Sequence, residues 1–504
     1  MASALAGAPF YTKGMSKKML SIAAGPLAFL LLLLIGAPEG MPTAAYMVLA
    51  STVWIAIWWV SEAVPIPITS LLPLVLFPLT DAMPMDAVAA PYSRKIIFLF
   101  IGGFLLALAM EKWNLHRRIA LYIISKVGTN MQQIVLGFIF ATWFLSMWIS
   151  NTATTMMMLP IALSVIIQFR ILRADENEPD DDSFGKALIL SIAYSASIGG
   201  LATLVGTPTN LIFADAVKNI YDTEIPFDQW IWFGLPVSLL LMLTTWWHMT
   251  RNAFKLSNQK VEGSEEVIQR EYNALGSIKA EEKLVLGVFL VVAFLWMSRR
   301  YLINPFFPNV DDVNIALMGA LALFLIPAPS NPKEMLMDWK TGLKLPWGVI
   351  LLFGGAFAVA AGFEDSGLTA WIGEQLQGLQ SFPFWLILLI IITLVIFLTE
   401  VTQNMATCTL MMPIMAALAE VLGVHPFIVM SAIGVTASCA FMLPVATAPN
   451  AIVFGSGFLK IKDMARAGFL LNILSILIIF AVSYFILPYL WGIELFEFPE
   501  ELSR

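Results

Sequence analysis

Apolar stretches follow one another along almost the whole chain. Residues 20–37, 44–64, 96–110, 134–149, 230–247, 284–297, 383–398 and 469–487 are each apolar runs, of the order of the roughly 20 residues that cross a bilayer core. No soluble domain of any size fits between them. Within this background one polar cluster occurs twice. Ser150-Asn151-Thr152-Ala153-Thr154-Thr155, followed by Met156-Met157-Met158-Leu159-Pro160, is echoed by Thr402-Gln403-Asn404-Met405-Ala406-Thr407, followed by Cys408-Thr409-Leu410-Met411-Met412-Pro413. Polar residues inside an apolar run predict an interrupted membrane helix, because backbone leaves helical geometry at membrane depth only where protein or a wet cavity receives it. Paired interruptions in corresponding halves point to a transport site.

The echo extends in both directions. Leu99-Phe100-Ile101-Gly102-Gly103-Phe104 matches Leu352-Phe353-Gly354-Gly355-Ala356-Phe357. Gly206-Thr207-Pro208-Thr209-Asn210 matches Ala446-Thr447-Ala448-Pro449-Asn450. From Gly103 to Asn151 is 48 positions, and from Gly355 to Asn404 is 49. Three matches in one order at near-equal spacing make the chain a tandem of related halves. The expected organisation is a first anchor at 1–41, repeat 1 at 42–249, a polar linker at 250–281, repeat 2 at 282–489 and a tail at 490–504. The glycine pairs read as close-packing positions, and Glu111 and Glu364, which end the helices after them, read as interfacial or capping acids.

Charge adds orientation. Lys13, Lys17 and Lys18, the segment His116-Arg117-Arg118, the loop with Arg170, Arg173 and Lys186, residues 251–283, and Lys460, Lys462 and Arg466 are basic. The segments 81–86, 222–228 and 494–501 are not. By the positive-inside rule the first set is cytoplasmic, so the N-terminus is inside and the C-terminus outside. That requires an odd number of crossings, about eleven, with re-entrant hairpins, and it makes the repeats inverted. The predicted fold is an all-α polytopic membrane protein, an inverted-repeat secondary transporter. Composition agrees: 59% of residues are hydrophobic and only 12% charged, about half the charged share of soluble proteins. The net charge of −7 comes without any basic cluster, so no nucleic-acid partner is expected. Cys408 and Cys439 lie in apolar context and read as packing residues.

The chemistry of such a site can be anticipated from its residue types. Frayed helix ends expose carbonyls that suit a hard cation and N–H groups that suit a carboxylate. Ser146, Ser150, Asn151, Thr399, Thr402 and Asn404 add neutral oxygens, and Gly199, Gly200 and Gly206 let backbone approach a ligand. Glu400 is the nearest candidate acid. No Arg or Lys occurs near either cluster in the sequence, so helix dipoles and bound cations are expected to balance an anion. An intramembrane enzyme would need a nucleophile–base pair or metal cluster, and no His lies within the motifs. An anion channel lacks a reason for paired cation-type sites.

The chain resembles the divalent-anion/sodium symporter family, the INDY-like dicarboxylate transporters. The resemblance rests on Trp58-Trp59-Val60-Ser61-Glu62-Ala63-Val64-Pro65, on Ser150-Asn151-Thr152, and on the stretch from Phe441 to Gly455 containing Ala446-Thr447-Ala448-Pro449-Asn450. It implies sodium-coupled symport of C4-dicarboxylates such as succinate, malate or fumarate. It further implies a homodimer in the bacterial cytoplasmic membrane, with a scaffold and an elevator-type transport domain. Two sodium sites are implied, one at Ser146, Ser150, Asn151 and Gly199, the other at Thr399, Thr402, Asn404 and Ala446. Substrate would meet Asn151, Thr152 and Gly200 on one side, and Asn404, Met405, Thr447 and Ala448 on the other. The second signature departs from the family as Gln403-Asn404-Met405, and a Pro-Pro pair reads Ala448-Pro449. These motifs equally admit a proton-coupled or exchange-type anion transporter of the same fold, carrying sulfate, citrate or a smaller acid.

Overall fold

The structure, a computed structural model, describes residues 10–175, 182–261 and 263–502. The side chains of Lys13, Lys17 and Arg173 lie outside the described residues. Eight of its helices are long and apolar enough to cross a membrane, and shorter apolar helices lie between them.

The two clusters fall at the tips of helical hairpins. Helix Met131–Ser146 is followed by a break and then by Asn151–Asp175; Phe384–Leu398 is followed by a break and then by Asn404–Leu422. Local sequence sets these ends. Asn130 and Gln133 form a capping box, with Asn130 Oδ1 accepting from the Gln133 N–H at 2.8 Å, and Gly423 ends the last helix in the left-handed region at φ 63°. Each hairpin is followed by a helix interrupted in mid-course. Ser183–Gly200 resumes at Pro208–Tyr221, and Pro426–Thr436 resumes at Ala448–Phe454. Proline at the first or second helical position restarts each one without losing a hydrogen bond.

The glycine pairs pack closely, as expected. A Cβ on Gly102 would come within 2.7 Å of Ala316 Cβ, and one on Gly354 or Gly355 would enter Tyr92 or Ser70. The two halves meet at Thr209 and Ser438, whose hydroxyls are 2.7 Å apart. Buried Trp143 ties the first hairpin to helix Phe227–Trp247 by donating to Ser238 Oγ at 2.7 Å.

One departure from all-α is a small antiparallel pair, Pro327–Ala328 with Asn331–Met335. Pro327, Pro329 and Pro332 remove the donors a helix needs there. The linker region carries its own helix, Ser264–Ala274, tied down by one ion pair from within it and one beyond its C-terminal end. Arg117 reaches Glu271 at 2.6 Å, and buried Arg118 grips buried Glu282 through Nε and Nη2 at 2.5 and 3.1 Å.

Candidate functional site

Each hairpin tip gathers oxygens in the same way. Ser146 Oγ is 2.6 Å from Asn151 Oδ1 and 2.7 Å from the Ala196 carbonyl. Thr399 Oγ1 is 2.7 Å from Asn404 Oδ1 and 2.8 Å from the Ala437 carbonyl. A hydroxyl has one proton, yet each here faces two acceptors. Such a surplus of oxygens over protons is a donor set for a hard cation. Both hydroxyls are buried.

The interrupted helices are pinned beside these tips by a second pair of asparagines. Asn210 Nδ2 donates to the carbonyls of Gly200 and Thr203 at 3.0 and 2.7 Å. Asn450 Nδ2 donates to those of Ala440 and Leu443 at 3.1 and 3.0 Å, with the same sequence offsets of ten and seven. Sequence comparison of the halves aligns these two residues but gives them no role; their fixed offsets to the breaks were the available signal.

The halves then part company. In the first, neutral Thr203 Oγ1 donates to the Met147 carbonyl at 2.6 Å. In the second, the residue after Thr399 is Glu400, 3% exposed. Its carboxylate accepts from the N–H groups of Phe441, Met442 and Leu443 at 2.7 to 3.1 Å and from Asn472 Nδ2 at 2.7 Å. Every partner is a donor, which matches an ionised carboxylate.

Both tips face one cavity of about 530 Å³. Ser150, Asn151, Thr152, Asn404, Met405, Ala446, Thr447 and Ala448 line it. Gly199 and Gly200 sit behind: a Cβ on Gly200 would come within 2.8 Å of Asn151 Oδ1, and one on Gly199 would enter the Trp143 carbonyl. Thr402 stands apart, its hydroxyl 2.6 Å from Thr407 Oγ1 and 2.8 Å from the Leu398 carbonyl. The carbonyls at the oxygen clusters are those of Ala196 and Ala437; the Gly199 carbonyl accepts from the Ala202 N–H at 3.1 Å. Gln403 also lines the cavity, and its Oε1 is buried without a hydrogen-bond partner. Helices beginning at Asn151, Pro208, Asn404 and Ala448 turn their N-termini to this space, which favours an anion.

The expectation that no Arg or Lys comes near the site is corrected here. Lys344 lines the cavity, and so does Glu111. Both are remote in sequence from the clusters and arrive through the fold.

The family model for the sodium:sulfate symporter transmembrane region matches residues 16–493. This chain belongs to that symporter family. Among its family relatives, the sodium-dependent dicarboxylate transporter SdcS of Staphylococcus saprophyticus is 44% identical over 481 residues, covering 95% of this chain and 93% of that one. SdcS of Staphylococcus aureus strain MRSA252 is 43% identical over 496 residues, covering 96% and 95%. Two solved structures share the fold beyond the symporter family's sequence range. The Alcanivorax borkumensis YdaH transporter aligns over 78% of this chain and 85% of its own, with a TM-score of 0.54 at 13% identity. Neisseria gonorrhoeae MtrF aligns over 92% and 98%, with a TM-score of 0.58 at 12% identity.

Proposed function

We infer that this protein is a sodium-coupled symporter of dicarboxylates, a membrane carrier and not an enzyme. The observation that carries the reading is the pair of matching oxygen clusters flanking one cavity that receives helix N-termini from both halves. Sodium, the co-transported ion, would be held at Ser146, Asn151 and the Ala196 carbonyl in one half, and at Thr399, Asn404 and the Ala437 carbonyl in the other. Ser150 and Thr402 adjoin these sets. The substrate's carboxylates would meet Asn151 and Thr152 on one side and Asn404 with the Thr447–Ala448 turn on the other, while Met405 and Gln403 face the space between.

With each hairpin taken as returning to its own side, each interrupted pair as one span and Ile66–Leu79 as a further span, the described helices are consistent with the eleven crossings proposed. With basic segments inside, the N-terminus is cytoplasmic and the C-terminus outside in a bacterial inner membrane. In that orientation the ends that carry Glu111 and Lys344 are cytoplasmic, so the cavity opens inward. The hairpins and interrupted helices form the moving core of an elevator, the remaining helices its frame, and two copies associate as a homodimer. Repeat 1 at 42–249 and repeat 2 at 282–489 contribute to both parts. Uptake of labelled succinate into proteoliposomes, with and without an inward sodium gradient, tests the reading. Gradient-driven accumulation is the expected result; uptake indifferent to sodium would remove it.

A further inference from the structure

Among the residues lining the cavity, only Glu111 and Lys344 carry charge. They come from different elements. Glu111 is in the last turn of helix Lys95–Lys112, and Lys344 precedes helix Trp347–Asp365. Lys344 is exposed, its ammonium makes no ion pair within 4 Å among the described residues, and it shares the cavity lining with Glu111. The hairpin-tip residues that line the same cavity are neutral. A dicarboxylate crossing this space therefore meets one full positive charge, carried by exposed Lys344 and not by the tips.

The repeat supplies the counterpart. Lys344 lies eleven positions before Gly355, and Arg94 lies nine positions before Gly103, just ahead of the corresponding helix. Arg94 is not free: its Nη1 is 2.5 Å from Oδ2 of Asp215, on the resumed half of the first interrupted helix. Each half thus places a basic residue at the entrance to its glycine-pair helix. One is closed off by an acid of the interrupted helix, and the other faces open space.

Resting on the symport reading, we propose that Lys344 is the cytoplasmic-mouth binding residue for the substrate's carboxylate, with Glu111 setting how weakly it holds. An aliphatic dianion leaving the tips pairs transiently with the ammonium. The neighbouring carboxylate keeps that pairing from becoming a trap, since it competes for the same cation. A rim charge of this kind acts on the rate of encounter and its salt dependence. It sits on the side where the substrate departs, so its effect is confined to that side.

The test measures sodium-dependent succinate flux in right-side-out and inside-out membrane vesicles, comparing wild type with Lys344→Gln, Lys344→Arg and Glu111→Gln. Lys344→Gln should raise the cytoplasmic-side KM by at least about threefold and flatten its dependence on ionic strength. Lys344→Arg should restore both, and Glu111→Gln should lower the same KM. The KM measured from the outer side should shift less than twofold in each. Shifts of the same sign for Lys344→Gln and Glu111→Gln, equal shifts on the two sides, or no shift would overturn the assignment while leaving symport intact. Wild-type vesicles without sodium-dependent succinate flux would overturn the symport reading and this assignment together.

Discussion

The hydroxyl of Thr399 lies 2.7 Å from the Oδ1 of Asn404, across the break in the second hairpin. Ser146 and Asn151 repeat the arrangement at 2.6 Å, so the two halves share this hydroxyl–amide pair. Removing the hydroxyl from either site takes one oxygen from a proposed sodium set. Thr399→Val and Ser146→Ala are each expected to raise the half-saturating sodium concentration by about tenfold, equivalent to roughly 1.4 kcal/mol. Sodium titration of succinate uptake measures this. Asn151→Ala and Asn404→Ala, which touch both the cation set and the cavity, should abolish uptake in protein that still folds and inserts.

Met405 is buried to 7% exposure and faces the cavity, at the position where Thr152 stands in the other half. Met405→Thr supplies a hydroxyl there and should tighten binding of four-carbon diacids by up to about tenfold, equivalent to roughly 1.4 kcal/mol. The partnerless Gln403 Oε1 marks an amide available to a ligand, so Gln403→Ser should weaken transport and Gln403→Ser with Met405→Thr should recover it. Competition by succinate, malate and citrate reads out all three variants. Identical inhibition profiles would remove both residues from the substrate.

Gly200 separates packing from chemistry. A Cβ there would stand 2.8 Å from Asn151 Oδ1 and 3.0 Å from the Gly206 backbone carbonyl, so the Asn151 amide is the group that must yield. Gly200→Ala should therefore displace the asparagine and reduce uptake by more than about tenfold. Gly287→Ala, where nothing lies within 4 Å, should transport normally.

Glu400 receives only donors. In Glu400→Gln one oxygen becomes an NH₂ that confronts backbone N–H groups, leaving at least one buried donor unmatched. A loss of about 3 kcal/mol is expected, read as a lowered unfolding temperature in detergent together with impaired uptake. Glu400→Asp should behave as an intermediate.

Topology is open to chemical labelling because Cys408 and Cys439 are both buried and give little background. A cysteine at exposed Lys279 should react with impermeant maleimide from the cytoplasm, and one at Glu500 from outside. Labelling of both from one side would refute the inverted repeat.

The tandem and its helix breaks were legible in the sequence because membrane burial makes each polar residue conspicuous. Asn151 and Asn404 stood out in apolar runs, and the structure puts them in one cavity. Lys344 and Glu111 were not legible as a pair. Each lies at a helix end, where charge is ordinary, and only the packing of helix Lys95–Lys112 against the approach to Trp347–Asp365 turns them to the same space. Glu400 was recognisable as an acid near the second tip. Its grip on Phe441, Met442 and Leu443 was hidden, because backbone donors leave no trace in side-chain patterns. The small antiparallel pair escaped for a simpler reason: its strands are too short for any alternation to register.

The unmatched carboxylate of Glu400 has an electrical consequence. The first half holds its hairpin with a neutral hydroxyl, the second with a carboxylate that meets only donors and no basic side chain among the described residues. In the proposed elevator cycle, an ionised Glu400 would travel with the core through the membrane potential, whose work on one charge is about 2.3 kcal/mol per 100 mV for a complete crossing. An inside-negative potential would then push the unloaded core outward, toward the side where sodium is gathered. On that proposal the resting voltage speeds the return stroke, and a transient current should flow on voltage steps even when no substrate is present.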